Sequence, residues 1–389
     1  MTQVSGKRRL AALPILLFLF ELFPALSLAQ NSKPAAKSPA RSAAHTSAAS
    51  SEPFHEDLTT LTLEHSSFLK KTPTLAERDD IPGTSFIRER YNVEWRPKDP
   101  FDLYVIRPRG IPTAPVVLYL YSFPDDTENF KDNHWCEAVT NDGYAAVGFV
   151  SALTGHRTRY RLLKESLVSE MPEALATTTH DVQLILDYLS TRADLDAHRI
   201  GMFGLGSGGS IAILASAVDP RIRVLDVLSP WADWKEWFGS AKIVPEQDRA
   251  SFLNPEFLTK VAPLDPVVWL PKAKARSIRI QDVRMNSAMP DQAQEKLEAV
   301  APGIAVIDQY GNGRAYLTNQ PPVLVFQWVK EQLEPGAKPQ VALEKSQRIH
   351  FYPAIQAAAQ SWPNVGAPNT DKPQTIAKEK AKPNEKDNQ

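Results

Sequence analysis

Cysteine is almost absent from this sequence, since Cys136 is the only one among 389 residues. One thiol cannot form an internal disulfide, so a folded domain of this chain must be stabilised by its hydrophobic core. An excess of charge of one sign is lacking too, because 44 basic and 45 acidic residues leave a formal net charge of −1. This balance gives no electrostatic basis for binding nucleic acid, and we predict no nucleic-acid partner.

Clusters of metal-ligating residues are also missing from the sequence. The N-terminal histidines His45, His55 and His65 do not have the spacing of a metal site. We therefore predict neither a metal nor another cofactor. Histidine is absent between Arg199 and Ile349, which limits the choice of a catalytic base in the C-terminal half of the chain.

The N-terminus has the pattern of an export signal. Lys7, Arg8 and Arg9 precede a short apolar run at residues 10–20, and the small residue Ala29 marks a cleavage site. We predict a signal peptide at residues 1–29 and a periplasmic or secreted protein. The run is short for a bilayer span, so no stable membrane span is expected; an uncleaved anchor is the alternative.

Composition divides the remaining chain into three parts. Residues 30–57 are rich in Ala, Ser and Pro, which is typical of a flexible linker. Residues 58–333 are long enough for one α/β domain. Residues 334–389 form a polar tail that we predict to be largely disordered, although residues 348–352 are a candidate for a short docked segment.

Strand and helix patterns alternate within residues 58–333. Predicted strands lie at residues 85–95, 101–108, 116–120, 143–150, 199–203, 224–228, 277–282 and 304–308. Predicted helices lie at residues 135–140, 174–189, 210–215, 291–300 and 323–332. Such alternation predicts an α/β fold with a mostly parallel central sheet and helices on both faces. Residues 231–270 are irregular and aromatic, and we predict that they form a small cap.

A glycine-rich turn joins a strand and a helix in the middle of the domain. Gly204, Gly206 and Gly208 follow the apolar strand, and the helix leaves with Ser210. The spacing small–x–nucleophile–x–small is that of a nucleophile elbow, a sharp strand–turn–helix. In this register the nucleophile position is Gly206, which has no side chain.

With these elements the chain resembles the α/β-hydrolase superfamily, in particular its dienelactone-hydrolase-like and prolyl-oligopeptidase-like branches. The resemblance covers about residues 100–333 and implies a Ser–Asp–His triad in chain order. It places Gly206 at the serine, Asn286 at the acid and Arg314 at the histidine. It also implies an oxyanion and pocket region at Tyr121 and Ser122, together with Ser207. Because the three triad positions depart together, we predict an α/β-hydrolase-fold protein without catalysis, in which the former active site binds a small molecule or protein ligand.

Two other interpretations use the same glycine turn. If the register shifts by one, Ser207 is the nucleophile of an active esterase or peptidase-like hydrolase; otherwise its hydroxyl has a capping role at the helix N-terminus. Gly204, Gly206 and Gly209 also fit the G-x-G-x-x-G pattern of a dinucleotide site, with Asp226 near the ribose-binding spacing.

Further polar residues lie near predicted strand ends. His156, Arg157 and Arg159 follow the 143–150 strand, and with Trp231 they are candidates for the rim of a ligand site; a solvated basic loop is the alternative. Asp233, Asp282 and Asp308 are interpreted as solvated strand ends, and Asp291 as the start of a helix; the alternative is that one of the four supplies the acid of a rearranged site. Cys136 is interpreted as a packed thiol.

Overall fold

The apolar runs of the sequence form the middle strands of one open sheet in the computed structural model, which describes residues 53–122, 127–153, 157, 163–285, 288–320 and 326–356. The predicted signal peptide and most of the linker lie outside these residues. The strands are β1 (Thr74–Asp79), β2 (Phe86–Val93), β3 (Phe101–Pro108), β4 (Ala114–Leu120), β5 (Ala145–Phe149), β6 (Leu195–Leu205), β7 (Ile222–Leu228), β8 (Ser277–Val283), β9 (Ala305–Tyr310) and β10 (Ile349–Tyr352).

The sheet is mostly parallel, as predicted. Its strand order is β1-β2-β3-β5-β4-β6-β7-β8-β9-β10. Strands β1, β2 and β3 pair antiparallel, and β3 also pairs antiparallel with β5. From β5 to β10 every neighbouring pair is parallel. The carboxyl ends of these parallel strands therefore meet at one edge of the sheet, where ligands bind in open α/β folds.

Helices connect the parallel strands. They are α1 (Asn133–Thr140), α2 (Leu163–Ser190), α3 (Ser207–Val218), α4 (Trp234–Ser240), α5 (Arg249–Phe252), α6 (Pro255–Val261), α7 (Pro266–Trp269), α8 (Asp291–Val300), α9 (Gly313–Asn319), α10 (Gln327–Leu333) and α11 (Lys345–Arg348). Helix α2 begins well before the predicted residue 174 and continues through Pro172. The prediction was too short because the apolar period is clear only in its C-terminal part. No helix in the described part of the chain is both long and apolar enough to span a bilayer.

Two glycines of β6 show that helices pack on both faces of the sheet. A Cβ on Gly201 would lie 2.8 Å from Val329 and 3.0 Å from Leu333 of α10. A Cβ on Gly204 would instead lie 2.6 Å from the Gly208 backbone in α3. Residues three apart in a strand point to opposite faces, so α10 and α3 cover opposite sides, and both faces are buried as predicted.

The predicted cap at 231–270 consists of the short helices α4 to α7 and the turns between them. Its aromatic side chains except Trp269 are buried, and the rings of Trp231 and Trp237 lie 4.4 Å apart, centroid to centroid. Phe238 stacks on Phe252 at 5.0 Å. These rings join the hydrophobic core under the carboxyl edge of the sheet, so the segment is packed by its own aromatic cluster.

The folded part begins earlier than the predicted residue 58. The side chain of Glu56, a residue assigned to the linker, is only 7 % exposed, and one of its oxygens lies 2.6 Å from Nε of Arg96. His180 of α2 approaches the other Glu56 oxygen at 2.8 Å, and Arg96 also pairs with the fully buried Asp181. Ion pairs buried in this way fix the position of a segment even when they add little stability. The N-terminal segment is thereby held against α2.

This contact predicts an acid-sensitive contribution to stability. Burial alone would raise the pKa of Glu56, but hydrogen bonds from Arg96 and His180 outweigh it and lower the pKa from 4.5 to about 2. A carboxylate with a lowered pKa stabilises the fold above its unfolded pKa, and this contribution is lost as the pH falls through the folded value. In urea titrations we therefore expect Glu56→Gln to be less stable than wild type at neutral pH, with a difference that shrinks between pH 4.5 and pH 2. The exposed Glu64→Gln is the matched control; a difference independent of pH would contradict the assignment.

The folded part also ends later than the predicted residue 333. Strand β10 adds to the sheet edge in parallel with β9, and Ile349 pairs with Ile307. The short docked segment predicted at 348–352 is present. The prediction that β9 is the last strand is wrong, because four residues paired mainly through their backbone leave little sequence signal. Residues 357–389 of the predicted tail lie outside the described residues.

Candidate functional site

The centre of the candidate site is the turn between β6 and α3. Gly206 is the single residue between them, with φ 55° and ψ −119°, a conformation that residues with a side chain rarely adopt. Its N–H donates to the carbonyl of Leu228 at 3.0 Å, and its carbonyl accepts from the N–H of Trp231 at 3.2 Å. The chain therefore has the sharp strand–turn–helix expected of an elbow, with Gly206 at its apex.

Close backbone approach explains the glycines on either side of the apex. A Cβ on Gly208 would lie 2.5 Å from the carbonyl carbon of Leu120 and closer still to its oxygen, at the end of β4. A Cβ on Gly204 would meet the backbone of Gly208 and Gly209 at 2.6 Å. Contacts this short exclude any side chain, so the small positions of the elbow fall on Gly204 and Gly208.

The space beside the apex is occupied by two neighbouring side chains. A Cβ on Gly206 would lie 2.5 Å from Oγ of Ser122 and 3.2 Å from Nε1 of Trp231. Ser122 lies just after β4, and Trp231 lies just after β7. The volume that a nucleophile's side chain would need at this turn is thus taken by a hydroxyl and an indole from two other strand ends.

Ser207 is the first residue of α3 and is only 2 % exposed. Ser207 was predicted to cap this helix. That prediction is wrong, because the N-cap residue is Gly206, which provides no side-chain cap. The backbone turns one residue before Ser207, so Ser207 belongs to the helix and the positive φ belongs to Gly206. The alternative register, in which Ser207 would be at the apex of the turn, is therefore not the one observed.

The dinucleotide interpretation fails at its acidic residue. Asp226 lies inside β7, is fully buried, and accepts hydrogen bonds from Nε and Nη2 of Arg279 at 3.0 and 2.7 Å. Nε2 of Gln281 donates to the same carboxylate at 2.9 Å. A carboxylate engaged in this way cannot bind a ribose hydroxyl. Asp226 is a structural residue of the sheet.

The predicted acid position, Asn286, lies outside the described residues. The strand before it ends in Asp282, which is fully buried on the side of α8, and neither of its oxygens has a hydrogen-bond partner among the described residues. Burial raises its pKa well above the ordinary value, and the nearby Glu298 raises it further. Asp282 is therefore not the solvated strand end that we predicted.

The position predicted for the base, Arg314, is exposed in the first turn of α9, directly after β9. The remaining histidine in family order, His350, lies on β10, where Nδ1 is 2.9 Å from Oδ1 of Asp308. Four strand spacings separate β10 from β6, a distance of about 19 Å. His350 is therefore too far from the elbow to take a proton from Ser207.

Arg157 was predicted to lie at the rim of a ligand site, and the structure contradicts this prediction. Its guanidinium is 3 % exposed, with Nη1 2.6 Å from Asp181 and Nε 3.1 Å from Asp99. Arg157 and Asp181 are both buried, so the Arg157 guanidinium is not available to a ligand. His156 and Arg159 lie outside the described residues. Trp231, also predicted for the rim, is 2 % exposed and lies below the surface.

Tyr121 and Cys136 belong to an aromatic cluster behind the elbow. The Tyr121 hydroxyl accepts a hydrogen bond from Nε1 of Trp135 at 2.8 Å, and its ring is buried. Its side chain is therefore a packing element of the predicted pocket region, beside the half-buried Ser122. Burial raises the pKa of the Cys136 thiol to about 12, which fits the predicted packed thiol.

Sequence reasoning missed the convergence of Ser122 and Trp231 on Gly206, because the three residues come from the ends of different strands. Backbone strain marks the same edge: Ser229, Asp233 and Met285 all have positive φ, at 42°, 51° and 58°. Such conformations cluster at functional sites. The Ser-Pro-Trp sequence directly after β7 was the local signal that could have pointed to this segment.

Comparisons with known proteins complete this description. No family model matches the chain, and no curated protein matches it. The fold was compared with solved structures as well. A Bacteroides ovatus protein assigned as a dipeptidyl aminopeptidase IV matches with a TM-score of 0.50 and 14% identity, over 63% of this chain and 36% of that one.

Two smaller proteins match over most of their length. An acetyl xylan esterase from Paenibacillus sp. R4 has a TM-score of 0.48 and 15% identity, over 67% of this chain and 87% of that chain. A Klebsiella pneumoniae protein assigned as a dienelactone hydrolase has a TM-score of 0.43 and 15% identity, over 60% of this chain and 91% of that chain. The strand order, the crossover helices and the elbow agree with what the sequence resemblance implied. The chain has the α/β-hydrolase fold.

Proposed function

We propose that this chain is an exported protein of the α/β-hydrolase fold that has no serine-hydrolase turnover and that binds a ligand at the elbow edge of its sheet. The observation that carries the proposal is Gly206 at the apex of the turn. A serine hydrolase forms a covalent intermediate on the side chain at this position. Gly206 provides none, and Ser122 and Trp231 fill the space beside it.

The described residues around the elbow support the same proposal. Ser207 is almost fully buried, and His350 lies about 19 Å away across the sheet. At that distance His350 cannot activate the Ser207 hydroxyl as a general base. The ligand role rests on two features of this edge of the sheet, where α/β folds bind ligands: the strained backbone at Ser229, Asp233 and Met285, and the N-terminus of α3.

An active hydrolase is the second candidate. It is favoured by the names of similar structures, which include an acetyl xylan esterase and a dienelactone hydrolase. In this alternative Ser207 moves out of α3 to act as the nucleophile. A hydrolase of this kind would act on a carboxylic ester or a related acyl compound.

A fluorophosphonate probe distinguishes the two candidates. We expect no adduct on the intact protein by mass spectrometry and no release of nitrophenol from short-chain nitrophenyl esters above buffer. A serine hydrolase of known activity is the positive control, and Ser207→Ala and Ser122→Ala are the matched variants. An adduct on either serine that the corresponding alanine variant abolishes would overturn the non-catalytic proposal.

A further inference from the structure

The carboxyl group of Asp282 is buried without a hydrogen-bond donor. Asp282 is 0 % exposed, and neither of its oxygens has a partner among the described residues. Its side chain lies on the face of the sheet that α8 covers, because Asp282 pairs with Gln309 of β9, whose Nε2 donates to Glu298 of α8 at 2.6 Å. An ionised carboxylate is very costly to bury without a donor, and such a group takes up a proton instead.

Glu298 is the group that can accept a hydrogen bond from that proton. Its carboxylate lies within hydrogen-bonding reach of Asp282. Its two oxygens accept from Nη2 of Arg284 at 2.7 Å and from Nε2 of Gln309 at 2.6 Å. These donors favour the ionised form of Glu298, so the proton of the pair belongs on Asp282. A protonated carboxyl is a donor as well as an acceptor, and it satisfies a contact that two carboxylates would leave unsatisfied.

The charges around the pair agree with one bound proton. Arg284 brings a positive charge to the pair, but its guanidinium also lies 3.8 Å from Glu295. Asp291, at the start of α8, adds a negative charge that acts on Asp282. Burial and the neighbouring Glu298 both raise the pKa of Asp282 well above its ordinary value. A proton on Asp282 removes the excess of negative charge from this part of the interior.

The sheet separates the pair from the charged groups on its other face. Arg279 lies three residues before Asp282 and points to that face, where it contacts Asp226 and Asp308. Histidine is absent between Arg199 and Ile349, so β8, β9, α8 and the cap contain no imidazole. A titration step of these elements just above neutral pH therefore points to the pair.

Helix α8 connects the pair to the ligand edge of the sheet. At its start, Nη1 of Arg284 donates to the carbonyl of Asp291 at 3.1 Å, and Oδ1 of Asp291 accepts from the N–H of Met285 at 3.3 Å. On the cap side, Nζ of Lys296 lies 2.8 Å from Oδ1 of Asp233. Met285 and Asp233 are two of the residues with positive φ at this edge. A change in the position of α8 therefore reaches the strained segments on both sides of it.

A cavity of about 330 Å³ lies between the cap helix α4 and the start of α8. Its lining includes Glu236 and Ser240 of α4, Met285, and Asp291 of α8. Because α4 forms one wall and α8 another, the width of the cavity depends on the distance between the two helices. The position of α8 thus determines access to this part of the ligand edge.

We propose that Asp282 and Glu298 hold one proton between them, and that its release to solvent at alkaline pH moves α8 away from the sheet and alters the ligand edge. With the proton in place, the Asp282 O–H donates to the Glu298 carboxylate and holds α8 against β8. Without it, two like charges face each other in the interior. Separation of α8 from the sheet admits the water that both carboxylates then need. The device does not depend on whether the protein has hydrolase turnover.

The indole of Trp237 reports on the position of this region. Its Nε1–H donates to the carbonyl of Ala288, between β8 and α8, at 2.8 Å. In the ¹⁵N-tryptophan-labelled full chain we expect its resonance, assigned by Trp237→Phe, to shift in one step between about pH 6 and pH 10, because buried carboxyls with pKa values of about 8 to 9 are known. Trp95, whose Nε1 donates to the carbonyl of Lys71 at 3.1 Å, is the internal control and should not follow this step.

Three variants assign the step to the pair. Asp282→Asn replaces the protonated carboxyl by a neutral donor of the same shape, and it should remove the step. Glu298→Gln removes the like charge and should move the step to lower pH. Glu295→Gln is the matched control on the same helix, since the Glu295 side chain is 68 % exposed; it should retain the wild-type step.

Stability provides an independent measure of the same proton. An Asp carboxyl ionises near pH 4 in the unfolded chain, so a fold that keeps the proton loses stability as the pH rises, until the folded state releases it too. In urea titrations, wild type and Asp282→Asn should be about equally stable near pH 4. Above it, the unfolding equilibrium constant of wild type relative to the variant should rise by up to about tenfold per pH unit and level off where the Trp237 step occurs.

Several outcomes overturn the proposal. A Trp237 resonance without a step would show that no proton release moves α8. A step that persists in Asp282→Asn, or is lost in Glu295→Gln, would belong to another group. A stability ratio independent of pH would show that Asp282 is ionised in the folded chain, and failure of Asp282→Asn to fold would contradict a neutral Asp282. None of these outcomes touches the proposed function, which depends on the fluorophosphonate result.

Discussion

Replacing Gly208 by alanine is expected to destabilise the chain by about 3 to 5 kcal/mol, because the new methyl group has no space. Its carbon would lie 2.5 Å from the carbonyl carbon of Leu120 and 2.8 Å from the carbonyl oxygen of Tyr121. Both are backbone atoms at the end of a central strand, so relief requires moving α3 away from β4. Urea denaturation followed by circular dichroism at neutral pH measures the loss.

Gly239→Ala is the matched control for this substitution. Gly239 lies in helix α4, and a Cβ there would have nothing within 4 Å. Alanine favours a helix over glycine by up to about 1 kcal/mol, so this variant should be slightly more stable than wild type. If Gly208→Ala were as stable as Gly239→Ala, the close contact between the elbow and β4 would be wrong.

Arg279→Met should cause the second large loss, about 3 to 5 kcal/mol at neutral pH, because it leaves Asp226 buried without its counter-charge. Burial already raises the pKa of Asp226, and the Arg279 guanidinium opposes that rise. Without Arg279 the pKa should rise further, so folding at neutral pH requires the uptake of a proton. For a carboxyl with a raised pKa, stability is lost as the pH increases; the loss should therefore be smaller near pH 4 than near pH 7.

The double variant Asp226→Leu, Arg279→Met is the control for this pair. Replacing both charges by apolar groups of similar size often restores stability, and we expect it to recover most of the loss and to remove its pH dependence. Gln281, which also donates to Asp226, stays in place in both variants. A double variant no more stable than Arg279→Met would show that the charges act independently.

Local sequence patterns predicted the centre of the fold well. The strand at 101–108 and the helix at 291–300 have their predicted bounds, since each has a clear period and a defined start. The edge strands were harder to predict. Strand β1 has no buried apolar face and was missed, whereas β10 was predicted only as a docked segment. Both depend on backbone pairing more than on burial.

The candidate site could be predicted only in part, for a related reason. The glycine spacing of the elbow is local, so Gly206 at the apex followed from the sequence. Burial of side chains depends on which helix covers a strand, and for this reason Asp282 and Asp308 were wrongly interpreted as solvated. The approach of Ser122 and Trp231 to Gly206 depends on the order of the strands, which the sequence does not specify.

The backbone of Gly206 also determines how readily the turn could regain a nucleophile. At φ 55° and ψ −119°, a residue with a Cβ stores roughly 1 to 3 kcal/mol of strain, and glycine stores almost none. That is a large share of the 5 to 15 kcal/mol by which a typical domain is stable. A chain that exchanges a nucleophile for glycine here becomes more stable. The reverse exchange must overcome the strain and displace the Ser122 hydroxyl at the same time. The turn therefore favours loss of the nucleophile over its return.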